Sequence, residues 1–188
     1  MTTLQQAIIK FQSELSSIGA DNPRLEADLI WMNILNVSRA ELFGYSQHEA
    51  IKKSALIKAR SLLNRRLKNE PLAYIIGSKE FYGLKIKTSP KALIPRPETE
   101  VMVDEALEYL SGKEKMLIAD VGCGTAAISI AIAKNNPSAT LYALDISKKA
   151  LHLAKANILM HQLENQIELI QSNLLTNLPH PVDMLLAN

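Results

Sequence analysis

The sequence contains one cysteine, Cys123, and therefore cannot form an intrachain disulfide. This argues against a secreted, disulfide-stabilised domain and predicts a protein of the reducing cytoplasm. Four histidines without metal-ligand spacing, together with a single cysteine, offer too few ligands for a zinc site, so we expect no metal. No stretch of about 18 apolar residues occurs, and the sequence accordingly predicts no membrane-spanning segment.

Low-complexity tracts and an extreme charge balance are also missing. Aromatic residues make up 5% of the 188 residues, and glycine and proline number only 7 and 8. With 47% hydrophobic and 21% charged residues, the composition is that of a globular protein of one or two domains, not of a disordered or fibrous chain. The net charge is +2, but residues 46–70 hold seven Lys or Arg and two Glu. We interpret this segment as a solvated helix face, with a docking surface for an anionic partner as the alternative.

Apolar side chains at helical spacing dominate residues 1–73. The first such segment runs from Leu4 to Ile18, and Trp31 lies in the apolar stripe of the second, where we expect it to belong to the core. Helix-capping signals precede the next segments: Asn22 with Pro23, Ser38–Glu41 and Ser46–Glu49. The pattern predicts a small helical bundle whose last, long helix follows the Ser46–Glu49 box and ends near Leu67.

Short apolar runs replace the helical pattern after residue 80. Leu84–Lys87 and Ala92–Ile94, separated by a Ser-Pro turn, predict a β-hairpin. Beyond it, strand-like runs alternate with helical segments. Strands are expected at Met116–Val121, Thr140–Leu144, Ile167–Ile170 and Val182–Ala187, and helices at Glu100–Leu110, Ala127–Lys134 and Lys148–His161. This alternation predicts a doubly wound α/β domain, with a parallel, Rossmann-like sheet covered on both faces.

A glycine-containing turn ends the first of these strands. Asp120 closes the strand, Gly122 and Gly124 follow, and Asp145 ends the next strand 21 residues beyond Gly124. Open α/β sheets bind nucleotide-like ligands at such a turn, and an acidic residue at that distance can accept ribose hydroxyl hydrogens. Together with Ala127 the turn also fits the dinucleotide fingerprint, but a carboxylate at Asp120 would repel a pyrophosphate. The residues therefore favour the cationic S-adenosylmethionine, with a nicotinamide cofactor as the alternative.

Further residues resemble a specific family. The segment Leu93–Glu100, which reads LIPRPETE, is the most distinctive of them, and we refer to it as the linker signature. The other matching residues are Arg65, Arg66, Glu70, Pro71, Tyr74, Gly77, Glu80, Phe81 and Gly83. In this pattern the chain resembles the peptide chain release factor glutamine methyltransferases of the HemK/PrmC type. The resemblance implies methyl transfer from S-adenosylmethionine to the side-chain amide nitrogen of the glutamine in a release factor's Gly-Gly-Gln motif.

The resemblance also implies roles for individual residues. The glycine loop, which comprises Gly122, Cys123, Gly124, Thr125 and Ala126, would bind the cofactor beside Asp120, and Asp145 would hold its ribose. Asn173 and Leu174 would lie beside the adenine. Asn188 looks like the first residue of the family's catalytic Asn-Pro-Pro-Tyr motif, so it would contact cofactor and substrate, and the chain stops there. Ala126 and Asn173 replace the family's usual glycine and aspartate, and a Cβ at Ala126 is expected to crowd the loop.

From these observations we expect a recognition bundle at 1–73, a linker with the hairpin at 74–98 and a partial S-adenosylmethionine-binding domain at 99–188. The partners implied are release factors, with no sequence-specific nucleic acid and no membrane, and we expect a monomer. Two alternatives stay open at this point. The chain could be an inactive fragment that only binds cofactor or partner, or a nicotinamide-dependent oxidoreductase.

Overall fold

A computed structural model describes residues 2–44 and 50–188 and divides the chain into two compact units, Met1–Ile76 and Gly77–Asn188. In the described residues of the first unit, all elements other than an isolated bridge are helices. Its helices are α1 (Leu4–Ser17), α2 (Pro23–Leu35), α3 (Arg39–Gly44), α4 (Lys53–Arg66) and α5 (Leu72–Ile76). The hairpin that we expected in a separate linker belongs to the second unit.

Local side-chain hydrogen bonds begin three of these helices. Thr3 forms a capping box with Gln6 at the start of α1, and Asn22 accepts from the Leu25 N–H at the start of α2. At α3 the Ser38 N–H donates to Glu41 at 2.6 Å, and the Glu41 N–H donates to the Ser38 hydroxyl at 3.2 Å. The capping signals at Asn22 and Ser38 are thereby confirmed, each contributing about 1 kcal/mol to helix stability.

Aromatic packing and ion pairs hold the helical unit together. Trp31 is fully buried, as expected, with its ring 5.4 Å from that of Phe11. Within the basic segment, Arg60 and Arg66 form ion pairs with acidic residues of other helices of the unit, and Arg65 pairs with Glu70. Among the described basic residues of this segment, Lys52, Lys53, Lys58 and Lys68 are exposed, and the role of the segment as a docking surface stays a prediction.

The expected start of the long helix was wrong. The Ser46–Glu49 box lies outside the described residues, but residues 50–52 are not helical and α4 begins only at Lys53. Ala50 forms an isolated antiparallel bridge with Thr3, and the Ile51 N–H donates to the Thr2 carbonyl at 3.2 Å. These contacts with the chain before α1 hold residues 50–51 in an extended conformation, which is incompatible with a helix at these positions.

The expected hairpin pairing also needs correction. The hairpin is built from β1 (Ser78–Phe81) and β2 (Leu84–Lys87), whereas Ala92–Ile94 forms no strand. The turn residues Tyr82 and Gly83 both have positive φ, at 52° and 69°. Two such residues give the turn type whose twist matches that of a two-residue hairpin, so the tight pairing with the preceding segment forms instead of the one across the Ser-Pro turn.

The rest of the second unit is a parallel α/β sheet. Its helices are α6 (Glu100–Leu110), α7 (Ala127–Asn135) and α8 (Lys148–His161), and its strands are β3 (Leu117–Val121), β4 (Thr140–Asp145), β5 (Ile167–Gln171) and β6 (Met184–Ala187). The strand order is β5-β4-β3-β6 with every pair parallel, which confirms the expected α/β class.

The two faces of this sheet differ in how they are covered. Side chains from one face, including Ile118 and Leu141, form a large core with residues of α6, α7 and α8. Side chains from the other face, including Ala119 and Tyr142, pack in a smaller cluster with Leu178 and Val182 from the segment before β6. Within the described part of the chain, helices therefore cover the first face and a loop segment covers the second.

In residues 2–44 and 50–188, no helix has the length and apolarity that a membrane crossing requires.

Candidate functional site

Parallel register brings the expected site residues to one edge of the sheet. Val121 at the end of β3 is paired with Leu144 in β4 and with Ala187 in β6, and Asp145 is paired with Gln171 in β5. The segments that follow these strand ends carry the expected site residues. The glycine loop follows β3, Asn173 and Leu174 follow β5, and Asn188 follows β6, whereas Asp145 is itself the last residue of β4. This edge is where open α/β sheets hold their ligands.

The glycine loop turns sharply back on β4. Gly122 and Gly124 have φ of 75° and 55°, a region that glycine reaches without strain. The N–H groups of Gly122 and Cys123 both donate to the Leu144 carbonyl, at 2.8 and 2.9 Å. Nothing lies within 4 Å of the position that a Cβ on Gly122 would take, so the loop leaves open space beside its backbone.

Asp145 links the loop to the start of α8. One carboxylate oxygen accepts from the Gly124 N–H at 2.9 Å, and the other accepts from the Ser147 N–H at 2.8 Å. Each oxygen keeps a second lone pair, since an ionised carboxylate offers about four acceptor positions. Asp145 is half-buried and can thus accept two further hydrogens from a ligand while holding the loop in place.

Ala126 closes the loop in a strained conformation. It is fully buried with φ 61° and ψ 26°, and its N–H donates to the Cys123 carbonyl at 2.7 Å. A left-handed conformation costs a residue with a Cβ roughly 1 to 2 kcal/mol. The chain therefore accommodates the Cβ that replaces the family's glycine at the cost of backbone strain in the closing residue of the loop.

Asp120 lies deeper than its place in the sequence suggests. It is 2% exposed, and one of its oxygens accepts from the Ser129 hydroxyl of α7 at 2.5 Å. Burial raises the pKa of Asp120 to about 6; the hydrogen bond from Ser129 opposes this shift and the nearby Asp145 charge adds to it. At this depth the carboxylate can affect a bound ligand through its charge but is not exposed for direct contact.

The raised pKa of Asp120 makes the stability of the protein depend on pH. Between its ordinary value near 3.8 and about 6, the folded protein binds more protons than the unfolded chain, so stability falls as pH rises through this window. Relative to the Asp120→Asn variant, the wild type should lose on the order of 2 to 3 kcal/mol of its free energy of unfolding between about pH 4 and 7. Urea unfolding of both proteins across this pH range measures the difference. If the free energies of unfolding of the two proteins change with pH in parallel, the raised pKa of Asp120 is contradicted.

Two exposed apolar side chains flank the expected adenine position. Leu174, at 70% exposure, sits in the turn after β5 with φ 51°, and Ile146, at 65% exposure, directly follows Asp145. The Ser172 N–H donates to the Asp145 carbonyl at 3.1 Å and thus ties this turn to the end of β4. Sequence reasoning named Leu174 and not Ile146, whose exposure beside the end of β4 becomes visible only in the structure.

Asn188 has a partner that sequence reasoning missed. Its side-chain Nδ2 donates to the Thr99 hydroxyl at 3.1 Å. Thr99 is 9% exposed and ends the short 3-10 turn Pro97–Thr99 inside the linker signature. One of the two amide hydrogens is used in this way, so the Oδ1 oxygen and the second amide hydrogen of Asn188 remain for a ligand.

Cys123 fills an interior position of the loop. It is buried, and burial together with the charges of Asp120 and Asp145 raises the pKa of its thiol well above the usual range. In residues 2–44 and 50–188, no group of three or more His, Cys, Asp or Glu side chains could hold a metal ion.

Comparison with known proteins bears on both units. The PrmC N-terminal domain model matches residues 6–77, and the methyltransferase small domain model matches residues 99–188. The crystal structure of an S-adenosylmethionine-dependent methyltransferase from Agrobacterium tumefaciens shares the fold, with a TM-score of 0.50 and 19% identity over 58% of this chain and 38% of that chain. Its likeness confirms the fold class expected from the alternating strands and helices.

Full-length relatives match across the boundary between the two units. The release factor glutamine methyltransferase of Coxiella burnetii is 39% identical over 165 residues, which cover 88% of this chain and 59% of that protein. That of Koribacter versatilis is 38% identical over 190 residues, which cover 99% and 66%. This chain thus spans between about half and two thirds of the length of such relatives. With both of its halves matched in order, the chain belongs to the release factor glutamine methyltransferase family.

Proposed function

We propose that this chain carries the S-adenosylmethionine site, and the first catalytic residue, of an enzyme that methylates the side-chain amide of a glutamine in a release factor's Gly-Gly-Gln motif. The observation that carries the proposal is the arrangement of the glycine loop and Asp145. At the end of β4 the half-buried Asp145 carboxylate borders the ligand position, and four N–H groups of the loop beside it are already paired within the protein.

The hydrogen bonds of the loop favour this cofactor over a dinucleotide. A pyrophosphate is bound by N–H groups of the loop and of the helix start that have no partner within the protein. Here four N–H groups of the loop are already paired: those of Gly122, Cys123 and Ala126 donate to carbonyls of the protein, and that of Gly124 donates to Asp145. The negative charge of Asp145 and Asp120 opposes a phosphate and favours a ligand that carries an ammonium and a sulfonium.

The remaining site residues fit the other parts of the same cofactor. Asp145 keeps acceptor positions for two ribose hydroxyls, and Ile146 and Leu174 offer apolar surfaces for an adenine. Asn173 lies at the same turn and has an amide that can pair with a base edge. When bound there, S-adenosylmethionine supplies a methyl group on a positively charged sulfur.

Asn188 is the residue that would orient the substrate. A glutamine amide nitrogen is a weak nucleophile because its lone pair is delocalised into the carbonyl, so alignment is the main task of the site. The Asn188 Oδ1 can accept one amide hydrogen, while Thr99 fixes the other end of the Asn188 side chain. By accepting that hydrogen, Oδ1 would align the substrate nitrogen with the methyl group. It would also stabilise the positive charge that develops on this nitrogen during methyl transfer, before the nitrogen loses a proton to solvent.

Release factors as substrates, a monomeric state and a cytoplasmic location belong to this proposal. The relatives named above are release factor glutamine methyltransferases, and the helical unit, which matches the PrmC N-terminal domain, is the part we assign to recognition of the protein substrate.

The cofactor assignment is tested by calorimetry on residues 1–188. S-adenosylhomocysteine, the product that remains after methyl transfer, should bind with one site per chain, whereas NAD should not bind at matched concentration. Binding of NAD alone would favour the oxidoreductase alternative. Binding of neither ligand would contradict the proposed function of the site.

A further inference from the structure

A buried asparagine outside the expected site contacts the glycine loop. Asn157 lies on α8 and is fully buried. Its Nδ2 donates to the Thr125 carbonyl at 3.0 Å and to the Lys87 carbonyl at 3.1 Å, and its Oδ1 accepts from the Lys87 N–H at 2.7 Å. Both amide hydrogens and the oxygen are thus used, and all three bonds go to backbone groups.

One of these bonds fixes the peptide that closes the loop. The Thr125 carbonyl and the Ala126 N–H belong to the same peptide unit. The carbonyl is held by Asn157, and the N–H donates to the Cys123 carbonyl at 2.7 Å. Rotation of this peptide would change the φ of Ala126, which is held at 61° against the ordinary preference of a residue with a Cβ. The bond to Asn157 therefore opposes the rotation that would relieve the strain.

The other two bonds tie the same side chain to β2. Lys87 is the last residue of β2, and both its N–H and its carbonyl pair with Asn157. The loop and the hairpin thereby share one buried side chain. A second contact of α8 with the hairpin, from His161 Nε2 to the Lys85 carbonyl at 2.9 Å, does not reach the loop.

We propose that Asn157 is a positioning residue that holds the Thr125–Ala126 peptide in its ligand-binding orientation and couples the glycine loop to β2. The inference rests on the proposed function, because it assumes that the loop binds S-adenosylmethionine. It predicts that ligand affinity depends on Asn157 because Ala126 is strained. It also predicts that ligand binding at the loop slows hydrogen exchange at the Lys87 amide.

The first test combines Asn157→Leu with Ala126→Gly. At a temperature where each protein is folded, Asn157→Leu should raise the Kd for S-adenosylhomocysteine by roughly tenfold, the effect of one lost hydrogen bond of ordinary strength. Ala126→Gly should restore most of that loss in the double variant, because glycine adopts the left-handed conformation without strain. His161→Ala, the matched control, should leave the Kd unchanged.

A purely structural role for Asn157 gives a different result. Thermal stability would then fall in Asn157→Leu, but the Kd would stay at the wild-type value, or Ala126→Gly would fail to restore it. Either result would overturn the proposal. Absence of S-adenosylhomocysteine binding by the wild type would instead contradict the cofactor assignment itself.

A second measurement needs no variant and decides the matter if Asn157→Leu does not fold. In the wild type, saturation with S-adenosylhomocysteine should slow hydrogen exchange at the Lys87 amide, which donates to Asn157. The matched control is the Tyr82 amide at the opposite end of the hairpin, which donates to Glu100 at 2.8 Å and should change less. Equal changes at the two amides, or no change at Lys87, would overturn the coupling.

Discussion

Replacement of Asn188 by alanine is expected to lower the rate of methyl transfer by on the order of a hundredfold or more, as for the loss of one preorganised polar contact to a reacting group. The measurement requires this chain extended beyond Asn188 with the carboxyl-terminal part of a relative such as the Coxiella burnetii protein. Residues 1–188 alone carry only the first residue of the expected Asn-Pro-Pro-Tyr motif. We therefore expect this segment to bind the cofactor without measurable turnover.

Thr99 provides a graded control for this prediction. Thr99→Val keeps the shape of the side chain but removes the hydroxyl that accepts from the Asn188 Nδ2. It should lower the rate by roughly tenfold, since one hydrogen bond that orients Asn188 is lost while its Oδ1 remains. Thr99→Ser, which keeps the hydroxyl, should have a rate close to that of the wild type. A wild-type rate in extended Asn188→Ala would show that the catalytic motif has been misplaced.

Replacement of Asp145 by alanine should weaken the binding of S-adenosylhomocysteine by about 1.5 to 3 kcal/mol, the range for hydrogen bonds to a charged acceptor. Two causes act together. The ribose hydroxyls lose their acceptor, and the Gly124 and Ser147 N–H groups lose theirs, so that both the loop and the start of α8 become less ordered. Calorimetric titration of residues 1–188 measures the change directly.

Asp183 offers a matched control at the other end of the same sheet. Its carboxylate accepts from the Leu117 N–H at 2.8 Å, the same kind of contact that Asp145 makes, but before β3 and not after it. Asp183→Ala should lower stability without changing the Kd of the ligand. Equal losses of affinity in the two variants would show that Asp145 acts only through the stability of the sheet.

Elements defined by their own residues could be predicted from the sequence. The helices Glu100–Leu110 and Lys148–His161 have the expected bounds, because their apolar periodicity and end signals lie within the segments themselves. The parallel sheet followed from apolar runs that alternate with helices. The hairpin was assigned to the wrong partner because Tyr82, which carries one of the two positive φ values in its turn, is not a residue typical of that conformation.

Contacts between distant segments were beyond local reasoning. Thr99 and Asn188 are 89 residues apart, and Asn157 and Lys87 are 70 residues apart. Each of these side chains looks unremarkable in its own segment: a threonine before a helix and an asparagine within one. Only the packing of α8 against β2, and of β6 beside β3, places them at the site. The depth of Asp120 was missed for the same reason, since its burial depends on α7 and Ser129.

The most direct test of the account is methyl transfer to a release factor. The chain extended beyond Asn188 is incubated with S-adenosylmethionine labelled in its methyl group and with a release factor that contains the Gly-Gly-Gln motif. We predict label on the side-chain amide of that glutamine, and none when the glutamine is replaced by glutamate, which has no amide nitrogen. Equal labelling of the glutamate variant, or no labelling of either protein by an extended chain that binds S-adenosylhomocysteine, would contradict the assignment of this site to glutamine methylation.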